Sequence, residues 1–237
     1  MILQEVALLA SDTTRTKAYL QAMVKAEMLP GTLVIYSDEI SKMKEEAVNY
    51  EEGTEKEYFD TDEPIVYTAK KWGIECTFIN NKDINSDQMK EAICQIKAKY
   101  LIYSGYGGYI LKPHLFQLGK KYIHVHAGIL PQYRGSTTVY YSMLQEGRIG
   151  ATAIFLNEKI DEGEIIEQKE FALPGGGTNI DYIYEPYVRS RVLLSALEQL
   201  VHEKELSSTE QSKDGAEIYY IIHPVLKHLA LLKIESE

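Results

Sequence analysis

Short apolar runs alternate with helical stripes over the first half of the chain. Residues 6–10 form a buried-strand pattern, Ser11-Asp12-Thr13 supplies caps, and Leu20, Met23 and Val24 follow at helical spacing until Pro30-Gly31, which predicts a stop. Residues 33–36 and 75–79 read as the second and third strands. Ser86 caps a helix whose stripe is Met89, Ala92, Ile93 and Ile96, and 100–104 and 122–126 are two more strands. This alternation predicts an α/β fold, a parallel sheet covered by helices on both faces. The rhythm changes after Gly150. Strands at 151–156 and 164–172 flank a turn at Asp161-Glu162-Gly163. A helix at 179–201 is interrupted near Pro186, and the tail 217–232 gives a short strand and a helix opened by Pro224. Two parts are expected: a main domain over 1–172 and a small C-terminal α+β extension over 173–237.

In parallel α/β sheets, ligands bind beyond the carboxyl ends of the strands. The densest chemistry lies at the end of strand 122–126. His124 and His126 are two residues apart, so they share one strand face. A tight exit loop follows through Ala127-Gly128 and Leu130-Pro131. Arg134, Gly135 and Ser136 then lead into a helix predicted at 138–146, which sets a guanidinium beside backbone N–H groups expected to be free for an anion. Taken alone, either histidine is an ordinary residue at a sheet end; side by side next to the Arg-Gly step they become catalytic candidates. Asp161, in the turn between two strands, joins them only if that turn folds back, where a carboxylate would orient an imidazole for proton transfer. A zinc reading of His124, His126 and Asp161 ranks second, because no further His or Cys has ligand spacing, and no metal is expected. The segment Gly105-Tyr106-Gly107-Gly108 fits neither nucleotide-phosphate glycine pattern.

Charge and composition narrow the picture further. The 237 residues carry a net charge of −10. Residues 38–63 hold eight of those charges and read as a solvated helix followed by a loop. A broad nucleic-acid surface is excluded by that balance, and a spanning helix by the absence of an apolar run of ~20 residues. Glu5 near the start and the lack of a basic leader argue against a secretory signal, and Cys76 and Cys94 cannot build a disulfide framework, so a cytoplasmic setting is expected.

The segment from His124 to Gly135, with Asp161-Glu162-Gly163 further on, resembles the folate-dependent formyltransferases. Their hallmark is Asn-x-His, a small-residue turn, Leu-Pro and Tyr-Arg-Gly, followed by Asp-x-Gly; here His124 stands where the family has Asn. The resemblance implies a Rossmann-like formyltransferase fold and transfer of a formyl group from 10-formyltetrahydrofolate to a primary amine. By resemblance, His126 hydrogen-bonds the developing oxyanion or shuttles a proton, Asp161 orients and charges His126, and His124 replaces the amide donor. The pterin would lie between Gly108, Tyr109, Ile110 and Leu111 on one side and Asn157, Glu158, Lys159 and Ile160 on the other, with Arg134, Gly135 and Ser136 toward the amine. The glycinamide ribonucleotide enzymes carry a glycine-rich first loop and the methionyl-tRNA enzymes a basic C-terminal barrel. Neither pattern is present, so a small-molecule amine on a nucleotide-linked sugar is the expected substrate. The alternatives are a glycinamide ribonucleotide-type enzyme and a catalytically impaired binding protein. The apolar tail (Tyr219, Tyr220, Ile221, Leu226, Leu229) leaves a homodimer as a further expectation.

Overall fold

The computed structural model describes residues 1–235, which divide into two compact units between Ile123 and His124. The boundary falls inside a strand; residue 172, where the sequence pattern suggested a division, lies within the second unit.

The first unit runs β1 (Ile2–Ala10), α1 (Thr14–Lys25), β2 (Leu29–Tyr36), α2 (Ile40–Asn49), α3 (Ile65–Lys71), β3 (Cys76–Ile79), α4 (Asp87–Gln95), β4 (Tyr100–Ser104), α5 (Pro113–Phe116) and the opening of β5 (Lys121–His126). Its strands are all parallel in the order β3-β2-β1-β4-β5. The apolar runs of β1 and β4 are buried on both faces, as parallel strands between helices require. The caps anticipated from sequence form: Thr13 accepts from the N–H of Thr16, and Ser86 from that of Met89.

One breaker was misread. Pro30-Gly31 lies inside β2, and α1 ends earlier, at Lys25. β3 does not pair with β2 until Leu33, so Pro30 faces no partner strand on that side that would need its missing N–H. Gly31 is required there because a Cβ would stand 2.9 Å from Gln4 Cα and 2.9 Å from the Leu3 carbonyl oxygen. The acidic stretch does form α2 and a loop. That loop is tied down, since Gln21 brackets Asp60 with hydrogen bonds to its backbone N–H (2.8 Å) and carbonyl (2.7 Å).

The second unit continues from the end of β5 through β6 (Arg134–Gly135), α6 (Thr138–Glu146), β7 (Ile149–Phe155), β8 (Ile165–Phe171), a π-helical turn (Ile180–Tyr184), α7 (Glu185–Glu203), β9 (Ile218–Tyr219) and α8 (Pro224–Glu235). β7 lies beyond β5 in the sheet and pairs antiparallel with β8, while β6 and β9 form a separate parallel pair. Every residue of β7 is buried, and α7, which buries Val188, Val192, Leu193, Ala196 and Leu197, packs against β7 and β8. The interruption expected near Pro186 is the π-turn, with Pro186 in the first turn of α7, where its missing N–H costs nothing. Among the described residues, no helix is long and apolar enough to cross a membrane.

Candidate active site

β5 ends in His124-Val125-His126. The two-residue period sends both imidazoles to one face, His126 buried and His124 half-buried. The exit loop then turns back on them. Leu130-Pro131 is cis, the Leu130 N–H donates to Thr152 Oγ1 (3.1 Å), and that hydroxyl donates to the Gly128 carbonyl (2.7 Å), pinning the loop to β7. Gly128 has to lack a side chain, since a Cβ would sit 2.9 Å from Tyr133 O and 3.1 Å from His126 Nε2. The loop thereby delivers the Tyr133 carbonyl to 2.6 Å from His126 Nε2. A carbonyl only accepts, so Nε2 carries the proton and donates, and in the neutral ring Nδ1 is the bare nitrogen.

The turn between β7 and β8 does fold back. Asp161 is buried with φ +54°, a left-handed conformation that Asp tolerates better than most residues. Its Oδ1 lies 3.5 Å from His126 Nδ1, and its Oδ2 accepts the Gly135 N–H at 2.9 Å. His124, His126 and Asp161 each offer one ligand atom, and these atoms all lie within 4.8 Å of one another. The three residues singled out from sequence therefore converge on one spot.

Two expectations need correction. Burial is the dominant influence on His126 and lowers its pKa. Asp161 raises it, but Arg189 lowers it further, and the smaller upward pulls of the Tyr133 carbonyl and Glu185 do not restore it. Asp161 thus orients the ring without charging it, and at 3.5 Å the pair is not a tight ion pair. Nor do Arg134, Gly135 and Ser136 present free anion-binding groups. Their N–H groups go to Glu217 O (3.0 Å), Asp161 Oδ2 (2.9 Å) and Tyr219 O (2.9 Å), because the segment is strand β6 and the helix starts only at Thr138. The Arg134 guanidinium is spent on Gln211 Oε1 (2.8 and 3.2 Å) and Glu162 (3.6 Å).

Of the segments expected to hold the pterin, Gly108, Tyr109, Ile110 and Leu111 lie in the loop after β4. There Tyr103 donates to the Tyr109 carbonyl (2.9 Å) and Asn85 to that of Ile110 (2.9 Å); Leu111 is buried and Ile110 is exposed. Asn157, Glu158, Lys159 and Ile160 follow β7, held by Asn157 through the Lys159 N–H (2.9 Å) and the Glu162 carbonyl (3.2 Å), with Ile160 exposed.

Sequence reasoning missed three contributors. Thr138 places its hydroxyl 3.3 Å from His126 Nε2. Arg189, paired with Glu185 at 2.9 Å, acts on the imidazole by its charge. Gln211 donates to the carbonyls of Asp161 (2.8 Å) and Gly163 (2.7 Å), so the C-terminal segment helps to hold the Asp161 turn. A polar residue in a loop 50 positions away carries no local signal of that task.

The depressed His126 pKa has a measurable consequence. Below the ordinary imidazole value of 6.5 the unfolded chain binds a proton that the folded chain resists. Stability contributed by this group is therefore intact above that value and falls on acidification, by at most about 1.4 kcal/mol per pH unit for one proton. Denaturant unfolding of the wild type and His126→Gln, in chelator, from about pH 7.5 down to about 5 should show the wild type losing stability more steeply. Parallel curves would contradict a buried neutral imidazole.

Fold and site together define a mostly parallel α/β protein with a buried imidazole–carboxylate centre at the end of a strand. A family profile described as formyl transferase matches residues 5–180, about three quarters of the chain, and the chain belongs to that family. A methionyl-tRNA formyltransferase from Ligilactobacillus salivarius is 30% identical over 111 residues, 46% of this chain, and the match spans only about a third (34%) of that relative's length. Two solved structures share the fold. An N-formyltransferase from Helicobacter canadensis in complex with folinic acid and dTDP-3-aminofucose has TM-score 0.58 at 12% identity, covering 99% of this chain and 81% of that one. A phosphoribosylglycinamide formyltransferase from Anaplasma phagocytophilum has TM-score 0.58 at 14% identity, covering 91% and 96%.

Proposed function

We propose that this chain transfers a formyl group from 10-formyltetrahydrofolate to the primary amine of a nucleotide-linked amino sugar. The observation that carries the reading is the meeting of His126 and Asp161, 35 positions apart, inside the span matched by the formyl transferase family. The sugar as acceptor is supported by the coverage of the Helicobacter canadensis protein, which extends over 99% of this chain, extension included.

The chain's own groups supply the steps. Locking Nε2–H onto Tyr133 leaves Nδ1 and Asp161 Oδ1 as adjacent bases. As the amine nitrogen attacks the formyl carbon, this pair takes the proton the amine must lose. Nδ1–H then returns it to the folate nitrogen as the old C–N bond breaks, so the formamide and tetrahydrofolate leave with protons balanced. An N–H of His124 faces the oxygen that becomes negative. Losing one such donor costs about 10²–10³-fold in kcat. Ile160, 62% exposed on the loop after β7, offers an apolar side chain suited to pack on a flat pteridine. In this reading residues 1–172 make up the catalytic part and 173–237 an extension that steadies it through Gln211.

Purified protein incubated with 10-formyltetrahydrofolate and, separately, a dTDP-amino sugar, glycinamide ribonucleotide and methionyl-tRNA should release tetrahydrofolate with the sugar alone. Turnover with another amine reassigns the substrate. Formate release without an amine, or no turnover at all, sinks the transferase reading.

A further inference from the structure

The same centre has an electrostatic feature that formyl transfer does not explain. With one ring nitrogen of His126, Nε2, committed to the Tyr133 carbonyl, the other, Nδ1, faces an oxygen of the Asp161 carboxylate 3.5 Å away. Both side chains are buried, at 5% and 10% exposure, so bulk water does little to separate them. A ring nitrogen and a carboxylate oxygen so placed call for something positive between them, a proton or a cation. A shared proton would draw them to a charge-assisted hydrogen bond of about 2.7–2.9 Å, well under the distance observed. Two ligands of one tetrahedral zinc ion, at bond lengths of about 2.0–2.1 Å, stand about 3.3 Å apart.

Around this gap the other requirements of a metal site are present. A ring nitrogen of the half-buried His124 and one ligand atom each of His126 and Asp161 all lie within 4.8 Å of one another. His126 already gives its other N–H to a backbone carbonyl, the outer-shell arrangement that fixes the tautomer of metal-ligating histidines. Asp161 Oδ2 is likewise held, by the Gly135 N–H at 2.9 Å, which leaves Oδ1 to the gap. The nearby cation, Arg189, is itself paired with Glu185 at 2.9 Å.

We propose that His124, His126 and Asp161 bind one zinc-class divalent cation, through a ring nitrogen of His124, Nδ1 of His126 and Oδ1 of Asp161, with the fourth position open. Two imidazoles and one carboxylate select first-row transition ions over Mg²⁺ and Ca²⁺, which take all-oxygen shells. A cation there occupies both bases of the proton-transfer pair, so ion-loaded and ion-free protein are chemically distinct species. The inference rests on the positions of three side chains and not on the formyl-transfer reading, and either can fail alone.

Chelator-stripped full-length protein is titrated with Co²⁺, followed by visible ligand-field absorption, and with Zn²⁺, followed by calorimetry, with Mg²⁺ for comparison. One equivalent of Co²⁺ with intense, tetrahedral-type bands is expected, displaced by Zn²⁺ and not by Mg²⁺. His124→Asn and Asp161→Asn should weaken binding by more than the ~10–100-fold that loss of an outer-shell partner costs. Unfolding curves establish that the variants are folded; if either is not, the wild-type Co²⁺ titration decides by itself. No stoichiometric Co²⁺ or Zn²⁺ binding in the wild type, or binding unchanged in both folded variants, overturns the proposal.

Discussion

Replacing Asp161 with asparagine is expected to lower kcat for formyl transfer by about 10²–10⁴-fold, the usual weight of a positioned general base, while leaving the fold nearly as stable as before. The amide can no longer take the amine's proton or support a cationic imidazole. Its oxygen can still accept the Gly135 N–H, and Asn is the non-glycine residue best suited to the left-handed backbone at this position. Asp161→Ala should differ in kind. It loses the same activity and also orphans the Gly135 N–H, at a cost of about 1–3 kcal/mol. Steady-state kinetics beside urea unfolding of both variants separates the chemical from the structural contribution. An Asn variant with wild-type kcat would remove Asp161 from the reaction.

The largest stability effect is expected two residues on. A Cβ on Gly163 would stand 1.7 Å from the carbonyl oxygen of Phe155 and 2.8 Å from its carbonyl carbon. Those are backbone atoms of β7, so no flexible side chain can yield, and the turn would have to move away from the strand. Gly163→Ala should therefore cost more than the ~1–3 kcal/mol of ordinary overpacking, and displace Asp161 with the turn. Gly107 is the control. A Cβ there would meet nothing within 4 Å and its backbone is not left-handed, so Gly107→Ala should stay within about 0.5 kcal/mol. Denaturant midpoints give the comparison directly, and near-equal values for the two variants would mean that the turn is not pressed against β7.

The legible parts of the fold were those whose signal is local. The apolar runs at 6–10 and 100–104 read as strands because a short unbroken run bounded by turn signals suits a parallel sheet covered on both faces, and both strands are buried as expected. The α4 helix announced itself through Ser86 and its stripe. Pro30-Gly31 misled because breaker residues mark a stop only when no neighbouring strand demands them; here β1 presses so close that glycine is needed within β2. β6, two residues long, has no periodicity to read; its pairing with β9, the short strand expected in the tail, takes the N–H groups of Arg134 and Ser136, while Asp161 takes that of Gly135.

By itself the sequence determined the order of the longer strands and of helices α1, α2, α4, α6, α7 and α8, the common face of His124 and His126, and the short list of residues able to do chemistry, because side-chain period and turn chemistry act over a few positions. Only the tertiary structure decided that the Asp161 turn closes on His126, that Tyr133 claims one ring nitrogen, that burial lowers the pKa of the imidazole, and that Gln211 holds the turn from 50 positions away. These depend on which loops meet and how much water they exclude, and neither is written in the spacing of residues along one segment.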